Sequence, residues 1–271
     1  SEAIAAADSG IIVISGKSGI TVGAKQSFEK LRAANKSAAF FVGKLDSSHA
    51  HFYRVLSTLV ANYGALICPI IIPYLENEVV TCYINLIENK AYSFDGITSK
   101  EHRMPVSSEI DDMRNMLLEA IASADESLME KYFEGEEFTN EEILKGLMTG
   151  VASGDICPVF CGVQQTGDAV SMMVDTLLKI MPSAADSTFL TEDGTAVPYS
   201  PEGQPAVTVF KTIADPFVGK LSYFKVLSGK IKADTNLYNS QKRKEEKIGK
   251  LFFLRGKNQI ATDEIVAGDI G

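Results

Sequence analysis

The 271-residue sequence contains only three histidines and four cysteines, and no apolar run long enough to span a bilayer. Its longest apolar stretch, ALICPIIIPY at 65–74, is interrupted by Pro69 and Pro73 and reads as a buried strand. Cys68, Cys82, Cys157 and Cys161 have neither the paired spacing of zinc half-sites nor the density of a small disulfide scaffold. Cys157 and Cys161 are four residues apart in a strand-like run and share a face, which fits buried thiols. His49 and His51 flank Ala50, and His102 is remote, so neither a hydrolytic triad nor a metal site is expected. Basic charge is also in deficit. The net charge of −9 gives no global attraction to phosphate backbones. The first residues, SEAIAAADSG, lack the basic start of a signal peptide. The expectation is a cytoplasmic protein with no membrane partner.

What is present is the composition of a globular chain, 45% hydrophobic and 23% charged, with length for about two domains. SGIIVIS at 9–15 reads as a buried parallel strand. A helix follows at 23–35, a strand at 38–42, a second helix at 49–63 with Phe52, Val55, Leu56, Leu59 and Val60 on one stripe, and a strand at 67–72. This alternation predicts an α/β fold with a mostly parallel sheet. The rhythm then breaks into a hairpin at 79–94 and two or three helices at 107–150. Ser107 and Ser108 signal one helix start, and Thr139 with Glu142 forms a capping box at another. ICPVFCG returns to the sheet, and a helix over 169–180 stops at Pro182. Segments of β type at 206–214, 219–227, 235–238 and 246–253, with a last turn at 267–271, predict a small barrel or sandwich without a closing strand.

The string SGKSGIT at 15–21 invites comparison with a phosphate loop. The motif needs a glycine where Ile11 stands, and the spacer is itself a strand. A strand-to-helix turn is the expectation. The one local basic patch, QKRKEEKIGK at 241–250, is diluted by Glu245 and Glu246 and also reads as a solvated hairpin of mixed charge.

Two long stretches carry a resemblance. DESLMEKYFEG at 125–135 is followed by EEFTNEEI and GDICPVFCG. FKTIADPFVGKLSYFKVLSGKIK begins at Phe210 and runs on to YNS, KIGKLFFLRG and EIVAGDIG. In this order they resemble elongation factor G and its close relatives among the translational GTPases. The resemblance implies the C-terminal half of a G domain at 1–80 and 151–185, an inserted subdomain at 81–150, a linker at 186–204, and an incomplete β-barrel second domain at 205–271. Gly43-Lys44-Leu45-Asp46 then falls where the family carries Asn-Lys-x-Asp, with Gly43 in place of the asparagine. An Asp46 carboxylate at a strand's carboxyl end would accept two hydrogen bonds from guanine, and the Lys44 stem would cover the base plane. Val163 and Gln164 align with the family's Ser-Ala base-contacting segment, a second departure. The family's phosphate loop and switches precede the segment that residues 2–10 resemble. The chain alone is therefore expected not to hydrolyse GTP, with GTP or GDP and Mg2+ belonging to the complete protein. The implied partner is the ribosome, with Lys242, Arg243, Lys244 and Lys247 as rRNA contacts and GTP-driven translocation as the activity. The alternative is a non-hydrolysing ribosome-binding or ribosome-protection relative with a degenerate guanine site. Asp215-Pro216-Phe217 and Gly219 are expected to shape a turn between barrel strands.

Overall fold

The computed structural model describes residues 2–47, 49–191, 194–215, 219–256 and 258–271, the side chain of Asp215 excepted. It forms two compact units, Ser9–Met181 and a second made of Ser1–Asp8 with Pro182–Gly271.

The chain enters through α1 (Glu2–Ala6), part of the second unit. The first unit then runs β1 (Ser9–Ser15), α2 (Val22–Ala33), β2 (Ser37–Gly43), α3 (Phe52–Tyr63) and β3 (Ile67–Pro69). A meander of β4 (Ile71–Glu76), β5 (Val79–Asn85), β6 (Lys90–Asp95) and β7 (Thr98–His102) follows. Helices α4 (Ser108–Ala124), α5 (Glu126–Phe133) and α6 (Asn140–Ser153) precede β8 (Cys157–Cys161) and α7 (Val170–Ile180). The parallel sheet has the order β1-β2-β8-β3, so the strand made last lies between two made early. Every residue of β2 and β8 is buried, as central strands with helices on both faces require.

Two readings of this unit change in detail. The apolar run 9–15 is an edge strand, with Ile12 and Ile14 buried while Ile11 and Val13 are exposed. A short apolar run has no periodicity that separates centre from edge. The stretch 67–72 is two strands rather than one. β3 pairs with β8 in the parallel sheet, whereas β4 joins the antiparallel meander β4-β5-β6-β7. Between them, Ile70 donates its N–H to Val159 O at 2.9 Å while its carbonyl accepts from Leu86 N–H at 3.0 Å.

The helices form where local chemistry places their ends. Thr139 accepts from Glu142 N–H at 3.2 Å, while Glu142 accepts from Thr139 N–H at 2.8 Å, closing the capping box of α6. Gly154 ends that helix at φ 82°, the left-handed conformation that glycine adopts without a Cβ penalty. Ser107 caps α4, and Asp125 caps α5 by accepting from Ser127 and Leu128 N–H. The α6 glycines Gly146 and Gly150 allow close packing, since a Cβ on Gly150 would lie 2.4 Å from Ile156 and 3.2 Å from Ala124.

The second unit contains β9 (Thr188–Leu190), β10 (Ala196–Pro198), β11 (Ala206–Asp215), β12 (Gly219–Ser228), β13 (Lys230–Lys232), β14 (Asn236–Asn239), β15 (Lys244–Lys247), β16 (Leu251–Arg255), β17 (Asn258–Thr262) and β18 (Glu264–Val266). They pair antiparallel, two by two: β9 with β10, β11 with β12, β13 with β18, β14 with β15, and β16 with β17. These ribbons surround one core of Val226, Ile231, Leu251, Ile265 and Ala267, joined by Val207, Phe224, Leu237 and Phe253. The terminal residues line the other side of β12, where Phe224 and Gly271 exchange N–H to carbonyl bonds of 2.8 and 2.9 Å. Among the described residues no closed barrel forms. The segment read as one strand at 246–253 is the end of β15 and the start of β16, with Gly249 between them accepting from Asp234 N–H. The expected turn at Asp215-Pro216-Phe217 lies outside the described residues, apart from the Asp215 backbone; Gly219 beyond it has φ 80°.

Candidate functional site

In an open parallel sheet, ligands bind in the crevice outside the carboxyl ends of the strands. Here that edge is formed by the loops after β1, β2 and β8. The buried run of β2 ends at Gly43, and Lys44 follows with φ 59°. The loop is then held from three sides. Gly16 N–H donates to Gly43 O at 2.8 Å, His51 N–H donates to Gly16 O at 3.0 Å, and Ser47 N–H donates to Lys44 O at 3.2 Å. Gly16 permits this approach because a Cβ there would stand 2.8 Å from Leu45 and 3.2 Å from Gly43 O.

Across the crevice, the loop after β8 closes on itself. Val163 N–H donates to Asp168 O at 3.1 Å, and Gly167 N–H donates to Val163 O at 2.8 Å. Val163 is buried, whereas Gln164 is exposed. The Gln164 side chain reaches the other loop, where its Oε1 accepts the Lys44 N–H at 3.0 Å. The Phe41 ring underlies both loops, 3.2 Å from where a Cβ would sit on Gly43 and on Gly162. Sequence order alone does not bring these residues together; the insertion of β8 beside β2 does.

Lys44 and Asp46 are exposed at the edge, with a cationic stem and a carboxylate two residues apart. Burial raises the Tyr83 phenol well above the usual tyrosine range, and the negative charges of Asp168 and Asp46 act in the same direction. Such a phenol stays protonated at neutral pH. Residues 15–21 form a strand-to-helix turn. Ser15 Oγ accepts from the N–H groups of Lys17 and Ser18 at 3.3 Å, and α2 starts behind the Thr21 cap. Among the described residues, no group of three or more His, Cys, Asp or Glu stands together as a metal site. Gly16, Phe41 and Gly162 shape the candidate site and lie outside the motifs; the two glycines directly follow β1 and β8, and Phe41 lies two residues before the end of β2.

The four basic residues lie in the second unit, around the β14–β15 ribbon. Lys242 pairs with Glu246 at 2.9 Å, Lys244 approaches the same carboxylate at 4.0 Å, and Lys247 pairs with Asp234 at 3.3 Å. Arg243 takes a left-handed turn position at φ 51°. Lys242 and Asn239 donate to Glu246, which holds its carboxyl below the ordinary glutamate range.

The chain thus carries an α/β unit, with its loops gathered at the carboxyl ends of a parallel sheet, and an antiparallel β unit. Residues 204–271 match the family model described as Elongation factor G domain 2. The elongation factor G of Ureaplasma parvum serovar 3 is 32% identical over 273 residues, covering 97% of this chain and 40% of the relative. That of Ureaplasma urealyticum serovar 10 gives the same identity and coverage. A crystal structure from Thermus thermophilus superposes with a TM-score of 0.82 at 27% identity, over 99% of this chain and 39% of that one. Over nearly its whole length the chain is similar to elongation factor G. It spans about 40% of the length of the curated relatives it matches.

Proposed function

We propose that the chain supplies the base-binding edge of a guanine-nucleotide site and the β unit of a ribosome-acting translation factor whose complete form uses GTP to drive translocation. The observation that carries this reading is the meeting of Lys44 with Gln164 at the carboxyl ends of two adjacent parallel strands, two residues before an exposed Asp46. The donor set fits a guanine base. A carboxylate can accept from the ring and exocyclic N–H groups of guanine together, a pattern that adenine does not offer, and a lysine stem can cover the ring face. Val163 is buried and the Gln164 side chain is turned to the Lys44 N–H, so the loop after β8 would meet a base through its backbone. Mg2+ and the phosphates are assigned to the complete protein and to no residue of this chain. When bound, the metal would neutralise developing phosphate charge.

Lys242, Arg243, Lys244 and Lys247 remain the proposed rRNA contact. Exposed ion pairs contribute no more than about 1 kcal/mol, so their lysines can exchange carboxylate for phosphate at little cost. A cytoplasmic location accords with a ribosomal partner. Among the described residues no helix is long and apolar enough to cross a membrane.

The test is titration of fluorescent mant-GDP and mant-ADP against the complete protein, with Asp46→Ala as the comparison. Losing a paired charge-assisted contact should weaken mant-GDP on the order of 100-fold and leave mant-ADP unchanged. Equal affinity for the two nucleotides, or indifference to the substitution, would remove the guanine reading.

A further inference from the structure

We infer that Gln164 is the positioning residue of the candidate base site, and that Gly43 and Gln164 act as one unit across two loops. This rests on the function proposed above.

Lys44 has φ 59°, an uncommon conformation for a residue with a side chain, and it sits at the first position beyond the sheet. At that point β2's ladder to β8 has ended, since the last paired residues are Val42 and Cys161. The Lys44 N–H therefore needs a partner outside the ladder. Gln164 Oε1 supplies it at 3.0 Å, from a residue 120 positions later in the chain. The amide reaches that point because Gly43 has no side chain. A Cβ on Gly43 would lie 2.7 Å from Gln164 Oε1, inside contact distance, and 3.2 Å from the Phe41 ring. Gly43 does not have a positive φ, so the backbone itself does not demand glycine there. The requirement is for the space that the Gln164 amide occupies.

The consequence is directional. The amide end is the mobile part of the glutamine, so a Cβ on Gly43 displaces Oε1 rather than breaking the strand. Lys44 then loses its partner, and the carboxylate two residues on loses its fixed position. Gln164 thus acts on a bound base through the loop that carries Lys44 and Asp46.

Three substitutions separate this role from bulk stability. Gln164→Met keeps the length and removes the acceptor. Gln164→Glu keeps an acceptor oxygen in the same place. Gly43→Ala leaves the glutamine intact but takes its space. Amide hydrogen exchange at Lys44, measured without nucleotide, should quicken by roughly threefold to tenfold in Gln164→Met and in Gly43→Ala, the effect of one net hydrogen bond, and stay near the parent rate in Gln164→Glu. Mant-GDP affinity of the complete protein should fall by a similar factor in Gln164→Met and Gly43→Ala while mant-ADP binding stays unchanged. The double variant should be no weaker than either single one, because both remove the same contact. Unchanged Lys44 exchange in Gln164→Met, or effects of Gly43→Ala and Gln164→Met that multiply, would overturn the inference. If the parent protein fails to bind mant-GDP, the proposed function falls instead, and Lys44 exchange alone decides whether Gln164 braces the loop.

Discussion

Lys225 offers the sharpest test of the energetics within the second unit. Its side chain is 2% exposed, in the middle of β12, and its ammonium pairs with Asp8, which is 22% exposed and also accepts from Ser187 Oγ at 3.3 Å. The Phe189 ring lies 5.4 Å from the same ammonium. At contact separation and an effective dielectric near 20, the pair attracts by about 5 kcal/mol, most of it offset by the cost of taking the lysine out of water. The two halves of the pair are therefore unequal. Asp8→Ala leaves a cation sealed among apolar neighbours and should cost about 3 kcal/mol, the lower end for breaking a buried pair. Lys225→Met leaves a carboxylate that still reaches water and Ser187, and replaces the lysine stem by a shape that fills its space, so it should cost about 1 kcal/mol. In Asp8→Ala/Lys225→Met the sealed charge is gone, and the double variant should be more stable than Asp8→Ala alone. Native-state exchange of the Val226 amide, which donates to Asp269 O at 3.0 Å, reports opening of this unit under a urea series. Equal costs for the two single variants, with a double variant that sums them, would show that Lys225 is solvated and the reasoning wrong.

Three further outcomes follow from the first unit. Glu142, held by Lys131 and by the Thr139 N–H, has its carboxyl lowered to about 2, so its contribution is fully present above the unfolded value of 4.5 and is lost as pH falls from there toward 2; the protection of the α6 amides, taken relative to the intrinsic exchange rate at each pH, should fall over that window in the parent and show no such step in Glu142→Gln. Gly150→Val should destabilise the unit by about 2 kcal/mol in urea unfolding, since the added methyls meet Ile156 and Ala124 in a filled helix interface; a neutral result would mean that α6 can shift outward. Cys68, Cys157 and Cys161 are buried thiols raised above their usual range by desolvation, and Cys82 is buried as well, so a thiol reagent should label none of the four in the native protein and all four in denaturant.

The elements legible in the sequence were those whose pattern is local. The stripe of α3, the capping box of α6 and the apolar runs of β2 and β8 each follow from neighbours within a few residues, and each is present. The strands missed are polar and short. TSKEH in β7 is exposed at all five positions, and NQIAT in β17 is exposed at four of five, so neither shows the alternation by which a half-buried strand is read. They are strands because a turn beside them brings a partner into register: Gly96, at φ 62°, joins β6 to β7, and Gly256, at the same φ, joins β16 to β17. Ile11 and Val13 show the converse limit, since an apolar run named the strand but not the side of the sheet it would cover.

The candidate site divides along the same line. Gly43, Lys44 and Asp46 fall within four consecutive residues, so a motif could find them, and taken alone Gly43 looked like a lost side chain. Gln164, 120 residues away, looked like a second, unrelated departure. Neither position is intelligible without the sheet order, because only the placement of β8 beside β2 puts the two loops within one hydrogen bond of each other. Two substitutions that each weaken a motif can preserve its geometry when one makes the room that the other fills. The 2.7 Å between a Gly43 Cβ and Gln164 Oε1 is the measure of that dependence: restoring a side chain at Gly43 while Gln164 stays in place would displace the amide that now braces Lys44.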